Sequence, residues 1–189
     1  MHNTILQHIR KFIDINQFEE ETIQEYLESS HFKKKEFILS EGKVCRNLYF
    51  VEKGCLRMYF TNKKGVEQIT QFALEGWWIS DFQSLMNETP SNYNIQTIEP
   101  SQITSLSKQN LDKMLFELPH LEKYFRIIFL KAVAGAQHRS KLLYEMSKEE
   151  FYLHFSTSFP EFMVRVPQYM IASYLGITPE YLSELRKIY

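Results

Sequence analysis

QYMIASYLGITPEYLSELRK, residues 168–187, reads as two short helices joined by a tight turn. Ile171, Ala172 and Leu175 recur at helical spacing on one face of the first helix. Gly176 stands where a helix end needs a left-handed backbone. Thr178 suits an N-cap, Pro179 the first helical position, and Glu180 the positive end of the helix dipole. Leu182 and Leu185 give the second helix its apolar face, small Ala172 lets the helices approach, and Ile177 fills the turn. This is the helix-turn-helix pattern, whose second helix can enter a DNA major groove. The alternative is an ordinary helical hairpin in an all-α domain.

Upstream, Pro119 starts a long helix. Leu121, Phe125, Ile128, Ala132, Gly135, Arg139, Leu142 and Met146 follow at gaps of 4, 3, 4, 3, 4, 3 and 4. A heptad seam over about 119–146 wants a partner helix. Ala132 and Gly135 permit close approach, and Arg139 interrupts the seam near its end. The simplest partner is the same helix in a second copy, giving a homodimer. The other reading is a helix packed on its own barrel. Ser147-Lys148-Glu149-Glu150 is a capping box, so a new helix starts there and runs through Phe151, Tyr152, Leu153 and Phe155. Pro160 ends that region, and Pro167 precedes the hairpin. The expected division is a first domain at 1–146 and a second at 147–189.

Between Phe32 and Leu106 the chain is rich in aromatic and β-branched residues. Gly42, Gly54, Gly65 and Gly76 punctuate it at intervals of 12, 11 and 11, each within a polar cluster. FKKKEFIL, NLYFVE, CLRMYFT and VEQITQFAL lie between the turns, and NYNIQTI and QITSL extend the series. Short strands at this interval indicate an all-β sandwich or barrel, with a jelly roll the natural architecture. DFQSLMNETPS reads as a short helix and loop. Residues 1–30 read as helical, and a helix capped by Ser107 covers 107–117. The fold class is therefore α+β: an N-terminal jelly roll, a long dimerisation helix, and an all-α C-terminal part.

Composition narrows the function. Hydrophobic residues make up 44% and charged residues 24%, which suffices for a soluble core. Net charge is −1, so nucleic-acid binding has to come from a local patch. Two cysteines, Cys45 and Cys55, support neither a disulfide framework nor a four-cysteine cluster, and the expected location is cytoplasmic. MHNTILQHIRKF has no long apolar core, so no secretory signal is expected, and no membrane partner follows from any apolar run. Of the six histidines, His2, His8, His31, His120, His138 and His154, only His31 borders the roll, so a histidine metal centre of the kind jelly-roll enzymes use has no ligands. A phosphate-cradling loop and a serine-nucleophile elbow are also missing, so no enzyme is expected. Cys45 beside Arg46 is a candidate redox thiol, against the plainer reading of a half-buried one.

The order of parts resembles the Crp/Fnr family of bacterial transcription regulators over about residues 20–189. FILSEGKVCRNLYFVEKGCLRMYF (37–60) is similar to the family's first hairpins, and IASYLGITPEYLSELRK (171–187) looks like its DNA-reading hairpin. The wording suggests the branch common in Bacteroidetes. The resemblance implies a cyclic-nucleotide-binding-like roll and a cytoplasmic homodimer on double-stranded DNA, with RNA polymerase as a further partner. The implied DNA-binding set is Gln168, Thr178, Glu180, Tyr181, Ser183, Glu184, Arg186 and Lys187.

Departures from the family pattern carry their own expectations. Relatives that bind cyclic AMP hold its phosphate and ribose with a Gly-Glu pair and an arginine. The corresponding GWWISDFQSLMNETPSNYN (76–94) has Ser80-Asp81 and no Lys or Arg. A buried phosphate without a cationic partner is costly, so cyclic AMP is not expected as cofactor and the effector is another molecule or none. Trp78, Asp81 and Phe82 are the candidate effector-pocket residues, against the reading that the aromatics, Trp77 included, are simply core. In the recognition helix Pro179 and Glu184 stand where common-site readers carry arginines. Glu180 matches and can accept from a cytosine amino group. Arg186 and Lys187 suit phosphate, and Lys131, His138, Arg139 and Lys141 form a candidate basic patch. The family's wing is expected to be missing or minimal after residue 189. A second reading is a ligand-binding or protein-interaction module that has lost specific DNA recognition.

Overall fold

The glycine-punctuated segment folds into two four-stranded sheets facing one core. The computed structural model describes residues 3–188; His2 and Tyr189 lie outside them. One sheet has the order β1 (Glu28–Phe32), β8 (Ser101–Ser107), β3 (Asn47–Lys53), β6 (Trp78–Ile79). The other has the order β2 (Phe37–Leu39), β7 (Asn94–Thr97), β4 (Leu56–Thr61), β5 (Glu67–Ala73). The pairings of β8 with β1 and β3, of β3 with β6 and of β2 with β7 are antiparallel. This is the jelly-roll-like arrangement the turn spacing predicts.

The turns work because their glycines take positive φ. Gly54 is the strictest case, with φ +110° between β3 and β4. A Cβ there would lie 2.2 Å from Ser101 Oγ and 2.8 Å from Ser101 Cα, so β8 leaves no room for a side chain. Gly65, at φ +75° in the β4–β5 turn, has nothing within 4 Å of that position.

Strand β3 is buried on both faces from Leu48 to Glu52, because helices cover the sheet's other side. The core joins Leu48, Phe50, Val51, Ile79, Ile103 and Leu106 to Ile5 and Ile9 of α1 (Asn3–Arg10), Ile23 of α2 (Gln17–Glu25) and Met114 of α4 (Lys108–Glu117). Helix α2 carries a capping box between Asn16 and Glu19, and Ser107 caps α4 through the Asn110 N–H at 3.0 Å. The short helix read in DFQSLMNETPS is α3 (Phe82–Asn87).

Two elements depart from the sequence reading. Glu28 to Ser30, expected to end the helical region 1–30, instead belong to strand β1. Its burial shows no alternation, so no periodic signal marked it; five consecutive Cα partners on β8 hold it instead. Pro160, read as ending the region after Phe155, occupies the first turn of a further helix, α7 (Pro160–Arg165), where its missing N–H costs nothing.

The remaining helices are α5 (Leu121–Glu145), α6 (Lys148–Ser158), α8 (Gln168–Leu175) and α9 (Pro179–Ile188). Two compact units result, with divisions after Met58, Gln71 and Leu130. The first holds the roll core. The second combines the β4–β5 tip, the C-terminal half of α5 and α6 to α9. Its own core is Phe151, Tyr152, Phe155, Phe162, Met170, Ile171, Leu175, Leu182 and Leu185.

Replacing Gly54 by alanine should destabilise the protein by about 2 kcal/mol or more, whereas the same change at Gly65 carries only the backbone term of about 1 kcal/mol. Denaturant unfolding of the two variants checks this; equal losses would mean that the Ser101 contact is soft.

Candidate nucleic-acid interface and effector region

The hairpin is built as its residues dictate. Gly176 closes α8 at φ 67° and ψ 38°, and the Ile177 N–H reaches back to the Ala172 carbonyl at 3.0 Å. Thr178 Oγ1 accepts from the Tyr181 N–H at 3.2 Å, capping α9. Ala172, Leu175, Leu182 and Leu185 are buried between the helices. The opposite side of α9 is exposed at Glu180, Tyr181, Ser183, Glu184, Arg186 and Lys187, and Gln168 and Thr178 are exposed beside it. The structure thus brings the eight expected DNA-binding residues onto one hairpin, outside its packed seam.

Cationic side chains hold the carboxyl end of α8. Arg139 Nη2 donates to the Tyr174 carbonyl at 3.0 Å, and the guanidinium lies 4.3 Å from the Tyr174 ring centre. Lys148 Nζ donates to the Leu175 carbonyl at 3.5 Å. Both complement the negative end of the helix dipole. Phe155 packs 5.1 Å from the Tyr174 ring and 5.9 Å from Phe162. The capping box of α6 also appears: Ser147 Oγ accepts from the Glu150 N–H, and the Glu150 carboxylate accepts from the Ser147 N–H. That backbone bond, with the Ser147 hydroxyl, holds the Glu150 carboxyl below its usual range. The expected basic patch is partly spent: Arg139 is committed to Tyr174, and Lys141 pairs with Glu145 at 3.2 Å.

The effector region is closed by its own side chains. Trp78 is buried and donates through Nε1 to the Tyr124 hydroxyl at 2.9 Å. Asp81 is 5% exposed and caps α3: one oxygen accepts from the Gln83 and Ser84 N–H groups at 3.1 and 3.2 Å, the other from the Ser91 hydroxyl at 2.6 Å. An anion at this helix start would meet a carboxylate already there. Phe82 stays 39% exposed, its ring edge-on to Phe129 at 5.7 Å. Of the three candidate pocket residues, Trp78 and Asp81 are therefore committed to the fold, and Phe82 lies at its rim. Cys45 and Cys55 are both buried; Cys45 Sγ sits 3.3 Å from Ser80 Oγ, which corrects the candidate redox thiol because no face of it meets solvent.

Helix α5 corrects the dimer seam. Leu121 and Phe125, expected to face a second copy, lie in the roll core with Tyr124, and Leu142 is buried in the second unit. Seam positions Ala132 and Gly135 are exposed, Ile128 is half-buried, and Arg139 turns to Tyr174. The apolar residues left open lie one or two positions round: Leu130 at 59%, Val133 at 54% and Tyr144 at 91% exposure. Ridges on a single helix cannot serve two partners, and the roll takes the first two turns. Sequence reasoning missed Tyr124, Ser173 and Tyr174. Their polar atoms act through fold neighbours distant along the chain, and only the aromatic character of the tyrosines hinted at this.

The described residues contain no group of three or more histidine, cysteine or acidic side chains placed to hold a metal, and no helix long and apolar enough to cross a membrane. A model of the cyclic nucleotide-binding domain matches residues 29–117. The chain is 27% identical over 164 residues to the regulatory protein HlyX of Actinobacillus pleuropneumoniae, covering 81% of this chain and 68% of that protein. It is 25% identical over 183 residues to the fumarate and nitrate reduction regulatory protein of Vibrio cholerae, covering 90% and 72%. Among solved structures, FixK2 from Bradyrhizobium japonicum shares the fold with a TM-score of 0.69 at 19% identity, over 86% of this chain and 83% of that one.

The buried tyrosines set a pH dependence. Burial pushes the Tyr49 hydroxyl up to about 12 from its ordinary 10.0, with Cys45 adding to the rise. Burial also raises Tyr124 and Tyr174, with Arg139 opposing at Tyr174. Each raised folded value means the fold favours the neutral phenol. That stability is complete below about pH 10 and falls as pH climbs towards about 12. Denaturant midpoints across this range should drop, and Tyr49→Phe should flatten the slope; an unchanged slope would remove Tyr49 as a cause.

Proposed function

We propose, for a chain that belongs to the Crp/Fnr family of transcription regulators, that it reads double-stranded DNA as a cytoplasmic homodimer through α9. The observation that carries this reading is the exposed row on α9 above a fully buried Leu182–Leu185 seam. Buried leucines fix the helix, and the exposed row is free to meet base edges. Glu180 accepts from a cytosine amino group, Tyr181 and Ser183 flank it, and Arg186 and Lys187 take phosphates. Residues 147–189 form the reading domain, and two copies address half-sites about one helical turn apart. RNA polymerase is the downstream partner. The protein acts by binding and carries no enzymatic activity.

The roll senses something other than cyclic AMP, or serves as a scaffold. Support comes from Asp81: its carboxylate fills the start of α3 with three hydrogen bonds, where a ligand phosphate would need a cation. Pairing then rests on the open α5 residues Leu130, Val133 and Tyr144 with Ala132 and Gly135, which a second copy would cover.

One observation favours the second reading, a ligand-binding or protein-interaction module. Residues 167–189 carry two acids, Glu180 and Glu184, and two bases, Arg186 and Lys187, so the hairpin itself has no surplus positive charge.

Selection of bound duplexes from a random pool by the purified full chain tests the two readings. The regulator reading expects enrichment of a two-fold-symmetric site. Removing Arg186 and Lys187 together takes two phosphate contacts from each copy of the dimer, so it should weaken all duplexes alike and lower the salt slope by about 4. Glu180→Gln should relax preference at one base pair per half-site, at a cost of about 1–3 kcal/mol. No enrichment at low salt, with a protein or small molecule co-purifying, would favour the module. Calorimetric titration with cyclic AMP should give no heat at micromolar concentrations.

A further inference from the structure

Beside the grip on Tyr174, the neighbouring residue makes a second one. Ser173 Oγ accepts from the Ile69 N–H at 3.1 Å and donates to the Glu67 carbonyl at 2.8 Å. We propose that Ser173 is a positioning residue that ties the DNA-reading hairpin to strand β5, so that the setting of this strand is passed to α9. This rests on the DNA-reading role of α9 proposed above and names how that role is regulated.

The geometry comes from the strand itself. Residues 67 and 69 are two apart, so their backbone groups point to the same edge of β5. β5 is the last strand of its sheet, and this edge would otherwise be open. One hydroxyl therefore does what a partner strand's peptide would do, accepting at one position and donating at the next. Ile69 is 4% exposed, which fixes the strand at the point of contact. β5 then runs on without a break to Ala73, fully buried in the roll core.

On the hairpin side, Ser173 is held through its side-chain hydroxyl and Tyr174 through its main-chain carbonyl and ring, so the two grips act on different groups of α8. Arg139 of α5 holds one and β5 holds the other. The buried seam of Ala172, Leu175, Leu182 and Leu185 makes α8 and α9 move together, so fixing residues 173–174 fixes the aim of α9. A serine hydroxyl at a partly open position exchanges its partners for water at little net cost, which makes a tied and a released state both accessible. Arg139 also leaves its Nε buried without a hydrogen-bond partner, so the tied state does not use every donor it buries. A shift of β5 or α5 that breaks one grip would free the hairpin to turn about the other.

The test uses the full chain with Ser173→Ala and Ser173→Thr. In Ser173→Ala the Ile69 amide should exchange with solvent about tenfold faster while core amides keep their rates. Affinity for the duplex that the parent protein selects from a random pool should change by about fivefold or more, in either direction. Ser173→Thr keeps the hydroxyl and should restore both. Unchanged Ile69 exchange in Ser173→Ala overturns the tie. Faster exchange with unaltered affinity overturns the transmission, leaving Ser173 as a cover for a strand edge. A fall in thermal stability that threonine does not rescue assigns Ser173 to packing and also overturns it. Should the parent protein select no duplex at all, the regulator reading fails on that result, and Ile69 exchange decides the tie by itself.

Discussion

The buried hydroxyl of Tyr124 fixes where the long helix lies on the roll. It accepts from Trp78 Nε1 at 2.9 Å and meets His8 Nδ1 at 2.8 Å, so α1, β6 and α5 meet at one oxygen. A hydroxyl that accepts from Trp78 keeps its own proton to give, so it donates to His8 Nδ1, which puts the ring proton on Nε2. An unpaired phenol in this apolar surrounding would be expensive, so the three elements hold one mutual geometry. Phe12, Phe50 and Phe125 pack around the same point and exclude water from it.

That anchor explains why the apolar stripe of α5 does two jobs in succession. The first turns bury Leu121, Tyr124 and Phe125 in the roll, the middle from Lys131 to His138 is exposed throughout, and the end buries Leu142 and commits Arg139 to Tyr174. A heptad pattern describes which residues share a helix face; it does not say which neighbour the face meets. The same logic holds in 76–94. Aromatic and acidic residues there could have lined an open pocket, yet Trp78 and Asp81 spend their polar groups on Tyr124, Ser91 and the start of α3.

Charge at the C-terminal hairpin comes from two sources. Its own sequence is neutral, while cations from elsewhere, Arg139 and Lys148, serve the carboxyl end of α8. On α9 itself the exposed cations are Arg186 and Lys187, at its far end.

Local chemistry made much of the molecule legible in the sequence. Gly176, Thr178 and Pro179 placed the hairpin turn, Ser147 and Glu150 the start of α6, and Ser107 the start of α4, because caps and left-handed turns are decided by residues within a few positions of one another. The regular glycines marked the roll for the same reason. What tertiary structure alone decided were the pairings over distance: β1 on β8, which has no hydrophobic alternation to announce it; the hydroxyls of Tyr124 and Ser173, whose partners lie far away in the chain; and the side of α5 left open. These depend on which surfaces meet once the sheets have closed, and a linear pattern carries the face but not its neighbour.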